Sequence, residues 1–275
     1  MESMTNAPYL VPQMRGGARI GHARMMDHMF LDGLEAAYEA GRLMGSFAED
    51  CAERYQFTRE AQDAYAIGSL DAALKAQRDG AFGREIAPVT LKTRRGETIV
   101  STDEQPRNAR PEKIPTLKPA FKKDGTVTPA NASSISDGAA ALALMRESAA
   151  DRPVRARILA HASHAQAPGW FSTAPIPAIR KVLEKVGWSV GDVDLWEINE
   201  AFAVVPMAAA RELDIPRDRL NVNGGACALG HPIGASGARI IVTLLHEMER
   251  RDARRGVASL CIGGGEGTAV ALELA

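Results

Sequence analysis

Three segments in the last third of the chain set a reactive or strongly polar side chain among very small neighbours. Asn199-Glu200-Ala201-Phe202-Ala203 stands where an apolar run ends and a helical pattern begins. An amide at that point either caps the helix or faces a ligand. The stretch Gly224 to Gly237 holds His231 between Gly230 and Pro232, a poor setting for a helix face and a good one for a ring that a ligand can approach. Because a helix follows, a phosphate-binding glycine loop is the competing reading. Cys261-Ile262-Gly263-Gly264-Gly265 places a thiol at the end of an apolar strand, just before backbone N–H groups that can receive an oxyanion. Taken alone, it reads equally as a packed cysteine before a turn. A Cys, a His and an Asn on separate strand-end loops suit carbon–carbon chemistry beside a thioester. That chemistry needs a base for the α-carbon, donors for the enolate oxygen and a covalent acyl acceptor.

The elements that must position these loops follow from periodicity. Val193 to Ile198 reads as a strand leading into a helix from Glu200 to Leu213, and Leu220 to Asn223 as another short strand before the glycine loop. A helix is expected from about Ala235 to Arg250, then Val257 to Cys261 and Thr268 to Leu274 as two strands joined by a glycine turn. Upstream, Ala156 to His161 suggests a strand, and Ile179, Val182, Leu183 and Val186 recur at helical spacing, opened by Pro175 and closed by Gly187. This alternation describes a layered α/β domain whose sites lie at strand ends. In the first half, Met26 to Tyr55 reads as one or two helices. Thr58 caps a helix running to about Asp79, and Ile86 to Leu91 and Thr98 to Val100 are short β-like pieces in a polar excursion.

Composition narrows the function classes. With 33 Lys+Arg against 34 Asp+Glu, the formal net charge of -1 offers no global field for nucleic acid or an anionic membrane. No apolar run approaches the roughly 20 residues of a membrane span. The N-terminal residues lack a basic and apolar leader pattern, so a cytoplasmic location is expected. The three cysteines, Cys51, Cys227 and Cys261, are too scattered for a disulfide framework. His161 and His164 without a nearby carboxylate or thiol do not make a metal site.

The motifs Asn-Glu-Ala-Phe-Ala at 199, Gly-His-Pro-Ile-Gly-Ala-Ser-Gly at 230 and Cys-Ile-Gly-Gly-Gly at 261, in that order, resemble those of thiolases, the acetyl-CoA acyltransferases. Asn131-Ala132-Ser133-Ser134-Ile135-Ser136-Asp137-Gly138, Ala174-Pro175-Ile176-Pro177 and the opening Met1 to Tyr9 are similar to further thiolase landmarks. Ketoacyl synthases share the fold but carry a second His where this chain has Asn199. The resemblance implies an α/β, layered α/β/α thiolase-like fold, with a loop domain over 1–130, a remnant of the N-terminal domain over 131–150 and a C-terminal domain over 151–275.

It also implies roles. His231 is the base that activates a nucleophilic cysteine, and Cys261 is the second acid/base. Asn199, through a water, and His231 hold the thioester oxygen, and the N–H of Gly263 supplies half of another oxyanion hole. Ser133, Ala201, Phe202 and Met44 line the pantetheine arm, and Arg107 lies near the nucleotide end of CoA. Coenzyme A and acyl-CoA enter as substrates, no cofactor is bound permanently, and a homo-oligomer, dimer or tetramer, is expected. In the family a nucleophile-bearing N-terminal domain precedes the stretch matching Met1 to Met4. Cys51 and Cys227 match no nucleophile motif. The expectation is therefore a chain that lacks that domain and its cysteine, inactive alone or paired with a separate N-terminal half. Leu43 stands where several biosynthetic thiolases have a His, which leaves synthesis and thiolysis equally open.

Overall fold

The computed structural model describes residues 1–275. Short strands β1 (Glu2–Ser3), β2 (Tyr9–Leu10) and β3 (Met26–Asp27) precede helices α1 (Met44–Tyr55) and α2 (Arg59–Arg78). The hairpin β4 (Val89–Thr93) and β5 (Gly96–Val100), the short helix α3 (Glu104–Asn108) and strand β6 (Asp137–Gly138) complete the first half. The second half runs β7 (Ala156–Ala165), α4 (Pro175–Val186), β8 (Leu195–Ile198), α5 (Val204–Leu213), α6 (Ala226–Leu229), α7 (Ile233–Arg251), β9 (Arg255–Ile262) and β10 (Glu266–Leu274). No helix is long and apolar enough to cross a membrane.

The strands of the second half form one four-stranded sheet in the order β7-β10-β9-β8. Its β8 and β9 run parallel, and β10 is antiparallel to both neighbours. All four β8 residues are buried, as expected for a strand covered on both faces. Their alternation divides two helix layers. Trp196 and Ile198 join Phe47 of α1, Ile179 and Val182 of α4 and Val205 of α5 on one side. Leu195 faces Ile240, Leu244 and Met248 of α7 on the other. The layered α/β/α fold follows from that alternation.

Several ends match their sequence signals for identifiable reasons. The Thr58 hydroxyl accepts the Ala61 N–H at 3.1 Å, capping α2, and Gly187 closes α4 with a left-handed φ of 68°. Other expectations need correction. Only the part from Met44 onward of Met26 to Tyr55 is regular α-helix; before it lie β3 and a single π-turn at Phe30–Leu34. The helix expected from Glu200 begins at Val204, because Glu200 is turned inward and fully buried. Leu220 to Asn223 contributes only one bridge, from Leu220 to Trp196. There Asn221 takes a positive φ, which ends strand geometry.

Candidate active site

Parallel pairing of β8 with β9 brings two of the three loops together. Ile198 lies opposite Ser259, and the Asn199 N–H continues the ladder to the Ser259 carbonyl at 2.9 Å. Asn199 therefore leaves its strand beside the end of β9, where Cys261 sits buried. It caps no helix. The third loop reaches them from the start of α7, and Asn199 Nδ2 lies 3.3 Å from His231 Nε2.

The imidazole is held from behind. Ser236, on the first turn of α7, places its Oγ 2.6 Å from His231 Nδ1 and 3.0 Å from the Pro232 carbonyl. A hydroxyl that donates to that carbonyl accepts from Nδ1–H, which leaves the Nε2 lone pair facing the Asn199 amide. Burial, with a smaller contribution from Arg239, pushes the His231 pKa down to about 4, so the ring is neutral at pH 7. The other face of Asn199 carries a buried Oδ1 with no hydrogen-bond partner. A buried acceptor left free beside an imidazole is suited to a water or a substrate group.

Burial raises the Cys261 thiol to about 12, so it rests protonated. Cys51, on α1 among the core side chains, is raised by burial to about 11, and Cys227 is pushed well above the usual thiol range by burial and by Glu200. None of the three thiols is hydrogen-bonded to His231, whose partners are Ser134, Asn199 and Ser236. After Cys261 the chain turns through Gly264 and Gly265, both at positive φ. At Gly265 a side chain would strike the Gln166 carbonyl at 2.3 Å, so only glycine closes this turn.

The walls come from both halves of the chain. Ser133 gives its N–H and its hydroxyl to the Ala201 carbonyl at 3.0 and 2.9 Å, and Ala132 bridges to Phe202. The Phe202 ring meets Phe121 and Phe171 edge-on at 6.1 and 6.3 Å. Met44 Sδ lies 3.4 Å from where a Cβ on Gly263 would stand. Ser133, Ala201, Phe202, Met44 and Gly263 thus converge around Asn199, His231 and Cys261. Arg107 stands apart. It lies exposed on α3, whose neighbouring Gln105 accepts the Ser134 hydroxyl at 2.6 Å. Sequence reasoning missed Ser236, Phe121 and Gln105. Of these only Ser236, five residues after His231 on a helix start, left a local signal.

The His164 Nδ1 lies 3.2 Å from the Lys181 ammonium, and no group of three or more metal-ligating side chains is assembled in the molecule.

Comparison with known proteins identifies the family. The family model for the thiolase N-terminal domain matches residues 1–148, and that for the thiolase C-terminal domain matches residues 152–274. The chain is 51% identical over 276 residues to an acetyl-CoA acetyltransferase of Pseudomonas aeruginosa, covering 98% of this chain and 70% of that protein. It is 49% identical to an acetyl-CoA acetyltransferase of Paracoccus denitrificans, covering 99% and 70%. Among solved structures, the acetyl-CoA acetyltransferase of Bacillus anthracis superposes with a TM-score of 0.95 at 46% identity. The Acat5 thiolase of Ascaris suum in complex with coenzyme A superposes with 0.88 at 40%. Both comparisons cover 100% of this chain and 70% of the other. The N-terminal model matches residues 1–148, so the expected absence of that domain has no support. The absence of the family's nucleophilic cysteine is not shown by these comparisons, and the inactivity inferred from it has no support. With both domain models matched and relatives about half identical over nearly the whole chain, the chain belongs to the thiolase family of acyltransferases.

Proposed function

We propose that the chain serves the reversible Claisen chemistry of CoA thioesters, joining two acetyl-CoA or cleaving acetoacetyl-CoA and other 3-oxoacyl-CoA with free CoA. The observation that carries this reading is the meeting of a neutral His231, the Asn199 amide and the protonated Cys261 thiol in one buried site. In the cleavage direction, a thiolate activated by His231 attacks the 3-oxo carbon and the bond between C2 and C3 breaks. The enolate of acetyl-CoA then takes the Cys261 proton. The acyl group passes from the enzyme thiol to CoA, whose thiol proton returns to Cys261. Asn199, through a water on its free Oδ1, and His231, through the proton that Nε2 has taken from the nucleophile, hold the thioester oxygen while it bears negative charge, and the Gly263 N–H faces the oxygen of the acyl-enzyme. Ser133, Ala201, Phe202 and Met44 line the pantetheine arm, and Arg107 meets the nucleotide end. Acetyl-CoA acetyltransferase is the name borne by relatives about half identical to this chain. The working form is a homo-oligomer in the cytoplasm.

A second reading is favoured by one observation, that no thiol of this chain is hydrogen-bonded to His231. In it the chain binds CoA thioesters and acts with a separate nucleophile-bearing polypeptide. Acetoacetyl-CoA cleavage by the purified chain, assayed with CoA, separates the two. Turnover that falls about 10²- to 10⁴-fold in His231→Ala and in Cys261→Ala supports the first reading. Turnover that neither substitution affects overturns it. Turnover that appears only with an added partner favours the second.

A further inference from the structure

The residue after Asn199 is a carboxylate with no exposed surface. Glu200 Oε1 accepts the Tyr65 hydroxyl at 3.0 Å and the Asn221 side-chain amide at 2.9 Å. Its Oε2 accepts the Ser69 hydroxyl at 2.7 Å and the Cys227 N–H at 3.1 Å. The donors come from α2, 131 and 135 residues away in sequence, and from two neighbouring segments, the turn after the Leu220 bridge and the start of α6. Asn221 in turn accepts the Ile198 N–H and donates to the Ile198 carbonyl, both at 2.8 Å, and so grips the end of β8 next to Asn199. Ser69 Oγ receives the Gly225 N–H at 2.9 Å, and a Cβ on Gly225 would lie 2.4 Å from the Glu200 carboxyl carbon. The backbone that leads through α6 to His231 is therefore pressed directly onto this carboxylate. One buried group links the strand end that carries Asn199 to the loop that carries His231.

We propose that Glu200, whose carboxylate oxygens are taken up by Tyr65, Ser69, Asn221 and Cys227, is a positioning residue that sets the separation between the Asn199 amide and the His231 imidazole. The pattern of acceptors matters as well as the shape. The hydroxyls of Tyr65 and Ser69 can rotate to become acceptors, but the Cys227 N–H cannot, and Asn221 is locked by its two bonds to Ile198. Each Glu200 oxygen faces one of these fixed donors. In Glu200→Gln, of nearly equal volume, the new amide nitrogen must oppose one of them, whichever way it turns, leaving a buried donor unmatched. The loop that yields carries either Asn199 or His231 with it.

The catalytic half of the test rests on the thiolase reading, but the spectroscopic half does not. In Glu200→Gln, acetoacetyl-CoA cleavage is expected to fall about 10- to 100-fold in kcat, with KM within about twofold, the signature of misplaced reacting groups. By NMR of the histidine-labelled chain, with the His231 signal assigned by its loss in His231→Asn, the ring is expected to titrate higher than in the parent as it leaves its dry position. Ser69→Ala, which removes one donor and the acceptor of Gly225, should shift both readouts in the same direction by a smaller factor and stands in if Glu200→Gln does not fold. An unchanged kcat and an unchanged His231 titration in a folded variant overturn the proposal. If the parent chain shows no turnover at all, the thiolase reading fails and the His231 titration alone decides on Glu200.

Discussion

The four-stranded sheet of the second half and the hairpin of the first half obey the same backbone rules and differ in what covers them. Every residue of β8 is buried between two helix layers, whereas every residue of β4 and β5 is exposed, including Val89, Leu91, Ile99 and Val100. In the hairpin, Val89 pairs with Val100 and Leu91 with Thr98, so one face is largely apolar and meets only solvent. A two-stranded ribbon gains little from its own pairing. The sheet, in contrast, gains from both faces and can therefore hold polar site groups at its strand ends. The contrast teaches that the site hangs on the part of the molecule that excludes water.

The largest break in that contrast should come from Trp196, which is 1% exposed at the centre of the larger core. Trp196→Ala is expected to lower unfolding free energy by about 3–5 kcal/mol, measured by urea denaturation. A loss under about 1 kcal/mol would show that the two regions are held alike. The next effect sharpens the electrostatic side of the same burial. Glu197, also on β8, is raised by burial from 4.5 to about 8, and Glu85 by burial to about 7, with Arg239 opposing both. These acids keep protons in the fold that the unfolded chain releases. Their contribution is complete below pH 4.5 and fades as pH rises towards 8. The melting temperature should decline from pH 5 to pH 8, and Glu197→Gln should flatten that decline; an unaltered slope would refute the assignment. The smallest effect belongs to the hairpin, where Leu91→Ser should change stability by no more than about 0.5 kcal/mol in the same denaturation experiment.

Much of this contrast is legible in the sequence and some is not, for physical reasons. The start of α2 at Thr58, the end of α4 at Gly187 and the β9–β10 hairpin rest on local chemistry, so neighbouring residues suffice to read them. Asn199, His231 and Cys261 were legible as a set because each stands in an unusual small-residue loop. The late start of α5 was not, because the cause is Glu200, whose partners include Tyr65 and Ser69, 135 and 131 residues away. Helical spacing before Met44 misled for a similar reason. Gly33 and Gly41 interrupt it, and Gly41 takes a positive φ while the chain makes a bridge from Glu35 to Leu43. The protonation of the cysteines is also hidden, since burial and not motif sets it.

The long helix α7 starts two residues after His231, and the ring rests on its first turn through Ser236. The aligned peptide dipoles of its 19 residues bring their positive end to the imidazole. That field acts in the same direction as burial and Arg239, opposing a proton on the ring, and favours negative charge near the helix start. The neutrality of the ring and the favourable setting for negative charge are therefore one property of the same helix end, and a change that weakens one weakens the other.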